Sequence, residues 1–484
     1  MRAGAATTSA SSEGAPARGE RPRRSAVLRL GVTTRAALGA LVALAALLLA
    51  GCAGHERRVQ AALDALDRGE LEAAVAALDR ELEVASSDEV PESLTGDAAL
   101  LMLDRATLLQ ALGRHAASAR DFGLADQAIE VLDLSYDAAD AVGRYLFSDS
   151  LGPYRAPAFE KLLVNSLNLV NYLELADLSG ARVEARRLAV QQRFLVDHGE
   201  RGALLGIGSY LAGFAFERSG ARDEALAYYE DALGYARFPS LLAPLRVLTG
   251  GASRSQAIDA LVADSGPLGS PAEAGEGELL VVVGYGRVPP KRPVRLPIGL
   301  ALTLVAAHMS PHDHALATKL AAKGLVTWVN FPRLGPSRSE HEPPSFELDG
   351  APAALEPAVD VEAEVRRAYD EAEPAIVLSA LTRMLTRLAA GEAAGALTNA
   401  ATKDKDKQGI AGLLVGLATT AALAAFDTPD TRSWTTLPAR MALARLRVPA
   451  GKHRVRLRAG GLGREVTVDV GPGGHAFVSL VAPR

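Results

Sequence analysis

From 57 to about 250 apolar side chains recur at helical spacing and strand-like alternation is scarce. This long helical stretch limits the fold more than any other feature of the chain. Glycines punctuate it. Phe214-Ala215-Phe216-Glu217-Arg218-Ser219-Gly220 ends one helix on a glycine, and Asp223-Glu224-Ala225-Leu226 opens the next, with Tyr229 and Ala232 on its inner face and Pro239 beyond its end. Glycine accepts the left-handed backbone that a tight helix-to-helix turn needs, and Ala225 lets two helices approach. The same offsets recur at Gly113, Phe122 and Ala125, with Ser118 in the small-residue position. They recur more loosely at Gly69, Ala74 and Leu78, and at Gly180, Ala185 and Ala189.

These hairpins resemble tetratricopeptide (TPR) repeats. The glycines step by 44, 67 and 40 residues, not by the roughly 34 of tandem repeats, so further helices are expected between them, notably over 157–179. Such an array offers a concave face. That face takes a segment of another protein, or it is filled by the chain's own C-terminal half; the sequence leaves both open.

Ahead of the array, residues 1–35 are rich in Ser, Gly, Ala and Pro and carry Arg18, Arg21, Arg23, Arg24, Arg29 and Arg35. An apolar run follows at 36–50, the length of a secretory h-region and short for a membrane span. Leu49-Ala50-Gly51-Cys52 closes it, and Cys52 is the chain's single cysteine. The tetrapeptide resembles the lipobox of bacterial lipoproteins, which implies a diacylglycerol on the Cys52 sulfur, cleavage after Gly51 and acylation, for example by palmitate, of the new N-terminus. Ala53, which is not aspartate, implies sorting to the outer membrane, facing the periplasm. Arg23-Arg24 resembles a twin-arginine signal, so general secretory and twin-arginine export both stay open. Removing 1–51 takes away seven basic and two acidic side chains and moves the net charge from −5 to −10. That balance argues against nucleic acid as a partner. With one cysteine there is no intramolecular disulfide, and stability rests on packing.

The expected fold is mostly α: a TPR-like helical solenoid followed by an α+β region ending in a small antiparallel β-module. The segments are a signal peptide (1–51), a lipidated tether (52–56), the helical domain (57–250), a linker (251–276), an α+β region (277–427) and the β-module (428–484). Leu279-Leu280-Val281-Val282-Val283-Gly284-Tyr285 is continuously apolar, as a strand buried on both faces would be, and 294–298 is expected to pair back on it. A second strand is expected over 326–331, ending at Pro332. Helix returns over 359–390 with a break at Pro374. The uncharged stretch 409–426 reads either as a buried helix or as a membrane span. In the β-module, strands near 442–448, 453–458, 465–470 and 475–481 are separated by glycine turns, and Arg445, Arg447, Arg454, Arg456 and Arg458 fall on a polar face opposite Glu465 and Asp469.

Candidate binding residues come from two places. Asn165, Asn168 and Asn171 step by three along an otherwise apolar helix and end at Tyr172, a polar ladder suited to inter-helix hydrogen bonds or to a ligand groove. Asp430, Arg432 and Trp434 would form a pocket, or else lock the helix-to-sheet junction. His308, His312 and His314 sit around Pro311, which spoils helical zinc-ligand spacing, and no nucleophile elbow, Walker loop or Cys/His pair occurs. No catalytic residue, metal or cofactor is assigned.

Tyr154, Pro157-Ala158-Phe159-Glu160, Leu163-Val164-Asn165 and Asn171-Tyr172, with Gly180 to Arg187, Trp328 to Pro332 and Asp430 to Pro438, resemble an uncharacterised group of bacterial cell-envelope lipoproteins with TPR-like repeats. The resemblance implies a lipid-anchored scaffold or adaptor that binds envelope proteins in cell-wall or surface-structure assembly. Alternatives are an enzyme of unrecognised type acting on envelope glycan or lipid, and a membrane-embedded component using 409–426. Oligomeric state is not legible.

Overall fold

The computed structural model describes residues 55–94, 97–133, 156–197, 204–251, 255–267, 275–305, 328–337, 343–401 and 429–484, with isolated positions such as Tyr154 and His314. Residues 1–54 with Cys52, most of 306–327 and the whole of 409–426 lie outside them. Gly54–Arg484 forms one compact unit.

Helices dominate its first half as hairpins: α1 (His55–Asp67) with α2 (Leu71–Glu81), α3 (Ala98–Ala111) with α4 (His115–Asp133), α5 (Ala158–Glu174) with α6 (Leu178–Asp197), and α7 (Leu204–Arg218) with α8 (Arg222–Tyr235). In three of them the expected glycine makes the turn in the left-handed region: Gly69 (φ 83°), Gly113 (φ 72°) and Gly220 (φ 79°). The α5–α6 hairpin departs from expectation. There Ala176 is the left-handed residue (φ 54°), Asp177 Oδ1 accepts the Gly180 N–H at 2.9 Å, and Gly180 lies inside α6. A Cβ at Gly180 would stand 2.5 Å from Tyr172 Cε1, so this glycine serves the close approach of a ring from α5. Two shorter helices, α9 (Leu242–Thr249) and α10 (Gln256–Ser265), close the layer. The short helix-like piece expected within the linker is α10, and Glu276 already belongs to a strand.

Strands β1 (Glu276–Tyr285), β6 (Glu356–Asp360), β7 (Arg440–Pro449) and β10 (His475–Ala482) form one sheet in the order β10-β1-β7-β6. Strands β4 (Ser345–Leu348), β5 (Ala351–Ala353), β8 (Gly451–Ala459) and β9 (Leu462–Val470) form a second, β5-β4-β8-β9. The first sheet is the middle layer. From β1, Leu279, Val281 and Val283 pack with Val455, Leu457 and Val470 of the second sheet, while Leu280 and Val282 join the core of the helices. Burial on both faces is why β1 shows no polar alternation.

This layering overturns the separate antiparallel module at 428–484. Of its four strands only β8 and β9 pair with each other. The chain leaves the first sheet at Pro449, returns to it for β10, and β10 runs parallel to β1. The glycine turns were legible; that two of them cross between layers was not.

A lobe stands apart from these layers. Strand β2 (Lys291–Pro297) pairs antiparallel with β3 (Trp328–Leu334), not with β1 as expected. Pro293 faces Pro332 across this ribbon; a two-stranded ribbon accepts residues that lack an N–H, so β3 continues past Pro332. Helix α11 (Ile298–Val305) follows β2 directly, and α12 (Val361–Ala401) runs through Pro374 without the expected break. A mid-helix proline costs about 3 kcal/mol. Burial of Ile376, Val377, Ala380 and Leu381 against Phe331, Val329 and Ala301 offsets it.

Candidate functional site: a buried polar seam between helices and sheets

Helix α5 carries the polar ladder, and its asparagines point inward. Asn165 Nδ2 donates to Glu184 Oε1 of α6 at 2.9 Å and to Asp126 Oδ2 of α4 at 3.3 Å. Asn171 Nδ2 donates to Ser118 Oγ at 2.9 Å, and Asn171 Oδ1 accepts from Gln110 at 2.9 Å. Asn165, Asn168 and Asn171 are fully buried. The ladder joins α5 to α3, α4 and α6, and the Tyr172 ring packs on Gly180. Of the two readings of the ladder, inter-helix bonding is the one observed.

The segment 430–436 crosses from the sheets to the same helices. Arg432 binds Asp430 through two hydrogen bonds of 2.9 and 2.8 Å and reaches Asp97, ahead of α3, at 3.0 Å. Burial works against the Arg432 charge, but the two carboxylates outweigh it and raise its pKa above the usual range. Trp434 is 2 % exposed. Its indole N–H donates to Thr107 Oγ1 at 3.1 Å, its backbone N–H to Glu160 Oε1 at 3.2 Å, and its ring meets Phe122 edge-on at 5.7 Å. Thr435 and Thr436 donate to Asp104 Oδ1 at 3.0 and 2.9 Å. Behind Asp104 lies the buried His55, the first residue of α1, at 3.6 Å. These residues lock the junction, with Asp430 and Arg432 paired to each other and Trp434 buried against Phe122.

Two further ties complete the seam. Arg445 on β7 turns into the helices, where it binds Glu278 at 2.7 Å, Glu217 at 2.8 Å and the Tyr229 hydroxyl at 2.8 Å. This corrects its expected place on a solvated polar face. Arg456 keeps that place, bridging Glu347 and Glu465 at 2.9 Å each. Glu174, at the end of α5, accepts hydrogen bonds from Ser479 Oγ on β10 at 2.7 Å and from Arg464 on β9 at 2.9 Å. Helices α3, α5 and α7 are thus contacted by β10 and β6 and, through Glu160, Asp104 and Thr107, by the 430–436 segment.

Burial sets the protonation of this seam. It raises the Glu160 carboxyl above the ordinary range against the hydrogen bonds from Tyr154 and Trp434, and with Glu160 beside it the Tyr154 hydroxyl is raised much further. Burial, helped by the Asp126 charge, pushes Glu184 up to about 7. A carboxyl poised there suits general acid–base work, yet Glu184 is 3 % exposed and is enclosed by Asp126, Asn165 and Arg187. It is a proton-binding site without access for a substrate.

Sequence reading named Asn165, Asn168, Tyr172, Asp430, Arg432 and Trp434. The structure places Asn165, Asn168 and Tyr172 among α3–α6 and Trp434 against α3–α5, with Arg432 pairing Asp430 to Asp97 just ahead of α3. Not legible were the acceptors Thr107, Asp126 and Glu184 that they reach, nor Asp104, which accepts from Thr435 and Thr436. Thr435, Thr436 and Glu184 fell inside the motifs singled out from the sequence and were the available signal. His308 and His312 lie outside the described residues, and His314 is exposed. Among the described residues no group of three or more His, Cys, Asp or Glu is placed to hold a metal ion, and no helix is long and apolar enough to cross a membrane. No family model, curated protein or solved structure matches the chain.

Proposed function

We propose that this chain is a lipid-anchored scaffold or adaptor of the bacterial cell envelope. Acylated Cys52 holds it to the outer membrane on the periplasmic side, and its TPR-like helical layer engages envelope proteins in cell-wall or surface-structure assembly. The observation that carries the reading is the closed seam: the strongest polar chemistry of the described residues, including Asp430 and Arg432, is spent in binding one half of the molecule to the other. That is the property of a rigid mount. Of the residues on which an enzymatic pocket would rest, Arg432 is buried and ion-paired with the half-buried Asp430, while His308 lies outside the described residues. Only three peptide units separate Cys52 from His55, where α1 begins, so the expected tether of 52–56 is shorter than that range.

With α3, α5 and α7 contacted by β10 and β6, a protein partner is left the outward faces of the helices. On α6, Val183 and Val190 are exposed at 53 % and 71 %, seven residues apart on one stripe. A photo-crosslinking residue at Val190 in cells is expected to capture an envelope protein. Mass spectrometry of the mature N-terminus is expected to find an acylated Cys52, and Cys52→Ser to release the protein from membranes. A mature chain that begins elsewhere, or that carries a free thiol at Cys52, overturns the anchoring. Capture of nothing at Val190 overturns α6 as the docking face.

A further inference from the structure

The β2–β3–α11 lobe carries a surface that the scaffold reading does not use. Ribbon and helix both pack on α12, and each leaves residues exposed on its other side. On α11, Ile298, Ala301, Leu302 and Val305 go inward, leaving Leu300 and Leu304, one turn apart, exposed at 52 % and 47 %. On the ribbon, Val294, Leu296, Val329 and Phe331 go inward. Pro293, Arg295, Pro297 and Trp328 are exposed, and Trp328 pairs with Pro297, the residue that runs into α11. An indole exposed at 53 % therefore stands at the start of a helix that presents two exposed leucines.

Its charge is as distinctive as its apolarity. Strands β2 and β3 contain Lys291, Arg292, Arg295 and Arg333 and no acidic residue, and α11 contains no charge at all, on a chain whose net charge is −5. Of these cations Arg333 is held by Glu373 at 3.1 Å. Tryptophan beside leucines, rimmed by arginine, is the composition that settles at the boundary between headgroups and acyl chains. The indole and the leucines enter the apolar side and the guanidiniums meet phosphate. An acidic protein is repelled by an anionic bilayer except where its surface charge reverses, and here it reverses.

We propose that the face formed by Leu300, Leu304, Trp328 and Arg295 is a second membrane contact that seats this lobe on an anionic lipid surface; the proposal rests on the anchored reading for its setting, not for its chemistry. Each arginine near an anionic surface contributes about fivefold in partition. A lobe so seated fixes the orientation of the whole unit on the bilayer, where an acyl anchor alone would let it swivel.

The test uses the mature chain from residue 52 carrying Cys52→Ser, so that no acyl chain contributes; Gly54–Arg484 is a compact unit by itself. Vesicles of phosphatidylethanolamine with and without phosphatidylglycerol are the probe, some with bromine on the acyl chains. The chain has two tryptophans, and Trp434 is sealed at 2 % exposure, so quenching by bromine reports on Trp328. Expected are binding that needs phosphatidylglycerol and weakens with salt, quenching that vanishes in Trp328→Phe, and at least tenfold weaker binding for Leu300→Ser combined with Leu304→Ser and for Arg295→Glu. All four positions are exposed, so the variants should keep the parent's circular dichroism spectrum.

Several results overturn the proposal. One is no binding by the parent; another is binding without Trp328 quenching. Binding unchanged in the leucine variant would assign the contact to another segment such as 409–426. Sedimentation of a dimer whose Trp328 is shielded without vesicles would assign the face to a second copy. Failure to find acyl groups on Cys52 in cells sinks the anchoring and leaves the vesicle result standing.

Discussion

Glu184→Gln is the sharpest perturbation of the seam. In the folded chain the Glu184 carboxyl titrates at about 7, against an ordinary 4.5. Between those values the folded state holds a proton that the unfolded chain has released, so stability falls as pH rises from 4.5 to 7 and is level above. At 1.36 kcal/mol per pH unit, the interval corresponds to about 3 kcal/mol lost at alkaline pH through this one group. Glutamine copies the protonated form. Its Oε1 can still accept from Asn165 Nδ2, and its amide can donate to Asp126, which now faces a neutral neighbour beside Arg187. The variant should match the parent near pH 4.5 and exceed it at pH 8 by an amount approaching 3 kcal/mol. Urea unfolding of both proteins at the two pH values, followed by tryptophan fluorescence, measures the difference between differences, in which titrating groups distant from Glu184 and Asp126 cancel. An equal pH dependence in parent and variant, or a variant less stable at pH 8, would refute the account of Glu184 as a carboxyl held against its own charge.

Other expectations follow from the same contacts. Trp434→Ala should cost about 3–5 kcal/mol by opening a cavity against Phe122, whereas Trp434→Phe should lose chiefly the bond to Thr107, about 1 kcal/mol; denaturant midpoints at constant slope measure both. Arg432→Ala leaves Asp430 and Asp97 without their cation and should cost about 3–5 kcal/mol, with the loss smaller at low pH as those carboxylates protonate, again by chemical unfolding. Gly180→Ala should cost about 1–3 kcal/mol by forcing the Tyr172 ring outward, and pairing it with Tyr172→Ala should recover part of that in a double-mutant cycle of melting temperatures.

Local chemistry made much of the fold legible. The helical period and three of the four turns could be read because each depends on residues a few positions apart. So could β1, whose unbroken Leu and Val run reflects cover on both faces. Ala176 escaped notice because an alanine gives no hint of a left-handed backbone, while Gly180 beside it offered a false one. Arg445 reads as a solvated residue in an alternating strand; its inward turn depends on Glu217 and Glu278, which stand far away in sequence. The junction role of Asp430, Arg432 and Trp434 was one of two open readings, and what decided it was partners such as Thr107, 327 residues from Trp434. Pro374 misled for the opposite reason: a strong local rule was outweighed by packing on the ribbon.

The parallel pairing of β10 with β1 has a consequence for how the molecule comes into being. Register runs from Glu278 against His475 to Tyr285 against Ala482, so β1 gains this neighbour only from a segment far along the chain. Until then β1 has an open edge and the helices lack their lid of Phe477 and its neighbours. Such long-range closure is slow and leaves the helices and β1 without their cover until the two distant segments meet. A product truncated by ten residues would keep that raw edge for good, and would be a target for proteolysis and a seed for aggregation.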